Sequence, residues 1–201
     1  MVIMWADLLA TAVFAISGAL AAAEQRQDIL GFILFGTITG IGGGTLRDLL
    51  LGADAIFWIV NTQYLWVCML ASVATWFLAP RFYSLHKLLL WADALGLALF
   101  SVLGAVKAIQ LGAPEIVAVG MGVMTATFGS MIRDTLLNQP PVLLEPEIYV
   151  TAALLGAGCY TVMQGFNTTA PAALPVAIAA AFALRAGAIL FDLRLPKYSQ
   201  T

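Results

Sequence analysis

The chain has 201 residues, 62% of them hydrophobic and only 10% charged, with a mean hydropathy of +0.96 and a formal net charge of −2. A soluble domain carries about 25% charged residues. This composition therefore excludes a water-soluble globule and places the chain in a bilayer, and so small a net charge gives no footing for a nucleic-acid partner.

Seven segments meet the requirement of roughly 20 mostly apolar residues for a transmembrane helix. They lie at 3–23, 29–47, 58–79, 88–108, 115–134, 148–165 and 171–193. The first, beginning MVIMWADLLATAVF, lacks a basic leader and meets Asp7 early, so it reads as a membrane helix and not as a cleaved signal. Asp28 sits where it would cap the second segment. His86 stands beside Lys87 in the linker PRFYSLHK, without the further ligands a metal site needs. Cys68 and Cys159 lie inside apolar runs and read as small buried hydrophobes. Glu145 and Glu147 are expected to be solvated in the linker before the sixth segment. Arg185, inside the seventh, is expected to snorkel or to pair with a neighbouring helix.

Linker charge predicts the orientation. Arg26, Arg81, Lys87, Arg194 and Lys197 fall on one side, whereas Lys107 alone, outside a glycine-rich motif, falls on the other. Positive charge favours the cytoplasm, so the N-terminus is expected outside and the C-terminus inside, in a bacterial inner membrane.

The sequence repeats at an offset of 86 residues: WADLLATAVFAISGA (5–19) lies over WADALGLALFSVLGA (91–105) with eight of fifteen positions identical. The same offset places Gly36 on Gly122, Thr39 on Thr125, Gly43 on Gly129, Arg47 on Arg133 and Asp48 on Asp134. Each copy holds three spans, so the copies cross the membrane in opposite senses. The expected fold is an all-α membrane protein: an inverted 3+3 repeat plus a seventh helix. It forms one domain over 1–201, with repeats at 1–86 and 87–168 and the extra helix at 169–195. Inverted repeats are a transporter architecture, with sites near the midplane where helices are interrupted.

The motifs GIGGGTLRD (40–48) and TATFGSMIRD (125–134) carry the candidate chemistry. Glycines cost about 1 kcal/mol each relative to alanine in a helix interior, so Gly42, Gly43 and Gly44 are expected to break the second span and Gly129 the fifth. Broken backbone at membrane depth must face protein or water. Its carbonyls, with the hydroxyls of Thr37, Thr39, Thr45, Thr125, Thr127 and Ser130, suit a hard monovalent cation. The competing reading is close packing, because Gly36, Gly40 and Gly44 form a small-xxx-small stripe. Arg47, Asp48, Arg133 and Asp134 weigh towards a polar path, since charge at membrane depth faces a cavity or a partner. Neighbouring residues on a helix do not face each other. The expected ion pairs at the two mouths are therefore Asp7 with Arg47 and Asp93 with Arg133. No strand precedes the glycines and no Gly-Lys-Ser/Thr follows them, which excludes a nucleotide loop. No catalytic set and no cofactor are expected.

Taken together, the 3+3+1 spans, GGGTLRD in the second and the degenerate TFGSMIRD in the fifth resemble the prokaryotic trimeric intracellular cation (TRIC) channels. The same pattern is similar to bacterial membrane proteins known as glycine transporters. The resemblance implies a homotrimer with a potassium-permeable pore in each subunit, set among membrane lipid and lined by kinked second and fifth helices. It carries over to Gly42, Gly43, Gly44, Arg47, Asp48, Gly129, Arg133 and Asp134. Phe128 and Ser130 depart from the triple glycine. The alternative that the same residues allow is a secondary transporter of glycine or a similar small zwitterion.

Overall fold

The structure is a computed structural model that describes residues 2–166 and 169–196; Lys197, counted above among the orienting charges, lies outside them. The described residues form eight α-helices: α1 (Val2–Glu24), α2 (Ile29–Leu50), α3 (Phe57–Val60), α4 (Gln63–Leu78), α5 (Leu85–Gln110), α6 (Glu115–Leu136), α7 (Val150–Gly165) and α8 (Ala170–Phe191). Six of the described helices are long and apolar enough to cross a membrane, the fourth counted with the 3-10 turn Ala79–Arg81 that extends α4. At 16 residues α7 is shorter, and so is its repeat counterpart α4 before that turn.

Local signals set most of the boundaries. Asp28 accepts a hydrogen bond from the Gly31 amide at 2.8 Å and starts α2; Ser84 accepts from the Lys87 amide and starts α5. Gly52 and Gly112 take positive φ in the turns after α2 and α5, where a side chain would be strained. The expected third span at 58–79 is divided instead. Phe57–Val60 forms one turn, and the chain straightens at Asn61 before α4 begins.

The packing follows the repeat. Helices α1, α2 and α4 pack on one another, and so do α5, α6 and α7. The two triplets join through contacts between equivalent helices, α1 on α5 and α2 on α6, and α8 lies against α5 and α7. This is an inverted 3+3 repeat with an added helix. Helix α5 is the most buried of the long helices, and its residues Leu97, Phe100, Val102 and Leu103 enter the main core with Phe14 and Tyr160.

The expected break at the glycines is not present. Helix α2 is α-helical throughout Ile29–Leu50 and α6 throughout Glu115–Leu136. Packing that only glycine permits offsets the poor propensity. A Cβ added at Gly36 would meet Ser72 and the Ala15 carbonyl, and one at Gly40 would meet Cys68 Sγ at 2.8 Å. The small-residue stripe therefore does seat α2 against α1 and α4.

Candidate functional site

Helices α2 and α6 cross antiparallel, and glycine sets the contact. A Cβ at Gly43 would collide with the carbonyl oxygen of Thr125, and one at Gly129 with the carbonyl oxygen of Thr39. These four residues are exchanged by the repeat, so the pseudo-two-fold axis passes through the crossing. Gly42 differs, since its added Cβ would find only ordinary contacts at 3.5 Å and beyond. Gly44 faces the Phe57 ring, 2.7 Å from such a Cβ.

The hydroxyls of both motifs are spent first on their own helices. Thr39 donates to the Phe35 carbonyl (2.6 Å), Thr45 to Ile41 (2.7 Å), Thr125 to Met121 (2.6 Å), Thr127 to Val123 (2.9 Å) and Ser130 to Thr127 (3.0 Å). Such back-bonding bends a helix without breaking it. Thr45 also accepts from the Trp58 indole at 2.9 Å, which ties it to the chain segment after α2. Thr37 is half-buried and borders neither of the cavities described next.

One helical turn, about 6 Å, separates Gly43 from Arg47 and Gly129 from Arg133. Each arginine borders a cavity, one of about 200 Å³ at Arg47 and one of about 360 Å³ at Arg133. The cavities are equivalent under the repeat: Ile3, Met4, Arg47, Lys107 and Gln110 line the first where Leu89, Leu90, Arg133, Ala21 and Glu24 line the second.

Around the second cavity the expected pair is present. Arg133 Nη1 lies 3.1 Å from Asp93 Oδ1, and Ser17 joins them, accepting from Arg133 at 2.7 Å and donating to Asp93 at 3.2 Å. Tyr149 donates to the other Asp93 oxygen at 2.7 Å, and its hydroxyl meets Ser130 at 2.8 Å. Arg133, Asp93 and Tyr149 are buried, so the network is satisfied from within the protein.

Around the first cavity the expected Asp7–Arg47 ion pair is not formed, although both residues line the same space. Asp7 accepts instead from the Tyr64 hydroxyl at 2.6 Å. Arg47 turns to Asp48, with Nε and Nη2 at 2.8 and 2.7 Å from Oδ1, and stacks over Phe57 at 5.7 Å. The reason lies in the partner helix: Leu103, the repeat equivalent of Ser17, offers no hydroxyl to bridge the two. Arg133 likewise holds Asp134 at 2.7 Å, so both motif Arg-Asp neighbours pair directly, contrary to the expectation that they would not face each other. An arginine side chain is long enough to fold around the helix to its neighbour's carboxylate. Asp48 then spends its second oxygen on the Phe57 amide at 2.9 Å, fixing the start of α3.

Tyr64 and Tyr149 were not singled out from the sequence. They sit at an offset of 85, one residue off the repeat, and an ungapped alignment passes over them. One further correction concerns a linker charge. Arg185 pairs with Glu147 at 2.6 Å and covers the Tyr149 ring at 5.1 Å, so Glu147 is an ion-pair partner and not a freely solvated carboxylate. Among the described residues no group of acidic, histidine and cysteine side chains is arranged to hold a metal.

The glycine transporter family model matches this chain twice, over residues 4–80 and 90–165. The chain belongs to that family. The two matches begin 86 residues apart, so the model falls on the repeat itself. A UPF0126 membrane protein of Vibrio cholerae is 38% identical over 97% of this chain and 82% of its own length. The UPF0126 inner membrane protein YadS of Escherichia coli K12 is 37% identical over 99% of this chain and 97% of its own. Among solved structures, the TRIC trimeric intracellular cation channel orthologue from Rhodobacter sphaeroides superposes with a TM-score of 0.93 and 44% identity, covering 96% of this chain and 99% of that one. A TRIC cation channel studied for the basis of its conductance gives 0.88 at 33% identity, over 100% of this chain and 99% of that one. The family is thus that of the prokaryotic TRIC channels and the related glycine-transporter-type membrane proteins, and the chain is an integral membrane protein.

Proposed function

We propose that this chain is a cation channel, permeable to potassium, working as a homotrimer in a bacterial inner membrane with the C-terminus cytoplasmic. One observation carries the reading: two repeat-related cavities, each with a buried Arg-Asp pair, lie at opposite ends of the α2–α6 crossing. From Arg47 to the level of Arg133 the crossing spans about twelve residues, or about 18 Å of helix. In this conformation it is shut by glycine-to-carbonyl contact at Gly43–Thr125 and Gly129–Thr39. Sliding or splaying α2 against α6 would expose the Thr39 and Thr125 carbonyls to an ion passing between the cavities, and carbonyl oxygens replace the hydration shell of a potassium ion well. Gly42, Thr37 and Thr127 then belong to the helices that move, and Arg47, Asp48, Arg133 and Asp134 to the two mouths. The solved relatives are described as trimeric and as cation channels, which supports the ion class and the assembly. The test is reconstitution of the purified protein in a planar bilayer in KCl, where discrete unitary currents are expected.

The second reading is a carrier for glycine, favoured by the family model's description and by the shut crossing between two cavities, which alternating access also requires. Saturable uptake of glycine into liposomes, without unitary currents, is its signature.

A further inference from the structure

The two repeats differ where the motif meets the third helix. In repeat two the contact is direct: the Ser130 hydroxyl lies 2.8 Å from the Tyr149 hydroxyl. In repeat one an aromatic ring occupies the matching place. Gly44, the repeat equivalent of Ser130, faces the Phe57 ring, and that ring packs edge-to-face with Tyr64 at 4.7 Å between centroids. Tyr64 still donates to Asp7 as Tyr149 does to Asp93, so the two networks correspond and the ring is an addition. Arg47 lies over the same ring at 5.7 Å, and Phe57 borders the cavity that Arg47 lines.

Two hydrogen bonds to motif residues hold the ring there. Asp48 accepts from the Phe57 amide at 2.9 Å, and Thr45 accepts from the Trp58 indole at 2.9 Å. At the 86-residue offset Thr45 falls on Met131 and Trp58 on Leu144, which cannot make the second bond, and Leu144 is exposed. Otherwise α3 is lightly held: none of its four residues is buried, and Ile59 and Val60 are exposed. It is bracketed by Gly52, at φ +62° with nothing within 4 Å of an added Cβ, and by Asn61, where the backbone is extended. A segment with few buried contacts between two such joints belongs to the part of a structure that opens most readily.

Resting on the channel reading, we propose that Phe57 is a bolt on the Arg47 mouth and that Trp58 is its positioning residue, acting through the hydrogen bond to Thr45. Opening slides or splays α2 against α6. The Phe57 ring joins α2 to the start of α4, so displacement of α2 at this end requires the ring to leave its seat on Gly44. Leaving the seat breaks the Trp58–Thr45 bond, which therefore weights the shut state. A hydrogen bond of ordinary net strength shifts such an equilibrium about fivefold. The device is one-sided, because repeat two has Leu143 in place of the ring and Met131 in place of the acceptor.

The experiment is single-channel recording in symmetric KCl of the wild type, Trp58→Phe, Thr45→Val and the double variant. Trp58→Phe keeps an aromatic ring and removes the N–H donor, and Thr45→Val keeps the branched shape and removes the acceptor. The closed-to-open ratio is expected to fall about fivefold in each single variant and no further in the double variant, because both changes remove one bond. Trp58 does not border the cavity, so unitary conductance in Trp58→Phe is expected at the wild-type value. A general loosening of the fold would not give that pattern. Gly44→Ala is a second route that removes no hydrogen-bonding group: its Cβ would come 2.7 Å from a Phe57 ring carbon and unseat the ring, while helix propensity improves. The ratio should fall there too, which keeps the bolt testable where Trp58→Phe folds poorly. A wild-type ratio in Trp58→Phe and Gly44→Ala, or single-variant effects that multiply in the double variant, would overturn the bolt and leave the channel standing. Absence of unitary currents from the wild type would overturn both.

Discussion

Gly42 and Gly43 are adjacent in the sequence and are separated by the structure. An alanine Cβ at position 43 would collide with the Thr125 carbonyl, which is backbone within α6 and cannot rotate away. Overpacking of this kind costs about 1–3 kcal/mol, against about 1 kcal/mol regained in helix propensity. The net expectation for Gly43→Ala is a loss of up to about 2 kcal/mol. At position 42 the new methyl has nearest neighbours at 3.5 and 3.6 Å, so only the gain of up to about 1 kcal/mol remains. The two variants should therefore differ by about 1–3 kcal/mol, the overpacking cost alone, or roughly 2–12 °C in melting temperature for a chain of this size. Thermal unfolding of each purified protein in one detergent, followed by tryptophan fluorescence, reads the difference. Equal melting temperatures, or Gly42→Ala below Gly43→Ala, would refute the assignment of the crossing to Gly43.

Where the crossing acts as the gate, the same strain in Gly43→Ala falls on the shut state, and open probability should rise by up to about tenfold for each 1.4 kcal/mol, read as dwell times in single-channel records. Asp93→Asn removes the charge partner of the buried Arg133 and should destabilise by about 3 kcal/mol, whereas Asp7→Asn weakens one hydrogen bond to Tyr64 and should cost about 1 kcal/mol; chemical denaturation in mixed micelles tests the order. Arg133→Ala should lower the yield of folded protein more than Arg47→Ala, because Arg133 ties α6 to both α1 and α5; size-exclusion profiles of the two variants check this. Light scattering of the solubilised protein should give three times the 21.3 kDa chain mass, and a purely monomeric species at micromolar concentration would count against the trimer.

Hydropathy and the repeat were enough to place the long helices, because membrane spans are written in length and apolarity. Charge pairing was legible only for half two. The Asp93–Arg133 bond depends on Ser17, a residue from the other repeat, and its equivalent Leu103 leaves Asp7 and Arg47 unjoined across their cavity. No single-repeat reading contains that difference. The triple glycine was misread as a break because helix propensity is a local quantity, whereas the collision that demands glycine comes from Thr125 on a distant helix. Tyr64 and Tyr149 escaped for a simpler reason: a one-residue shift near the starts of α4 and α7 hides their equivalence. The pairing of Arg185 with Glu147 depends on a linker folding back onto α8, which hydropathy does not encode.

The central claim is that an ion passes between the two cavities through the α2–α6 crossing. Planar-bilayer recording of the purified wild-type protein in KCl, with glycine as sole added solute in a parallel liposome uptake assay, tests it most directly. The account predicts discrete unitary currents carried by potassium and no saturable glycine uptake. Saturable glycine uptake from a preparation that gives no unitary currents would contradict it.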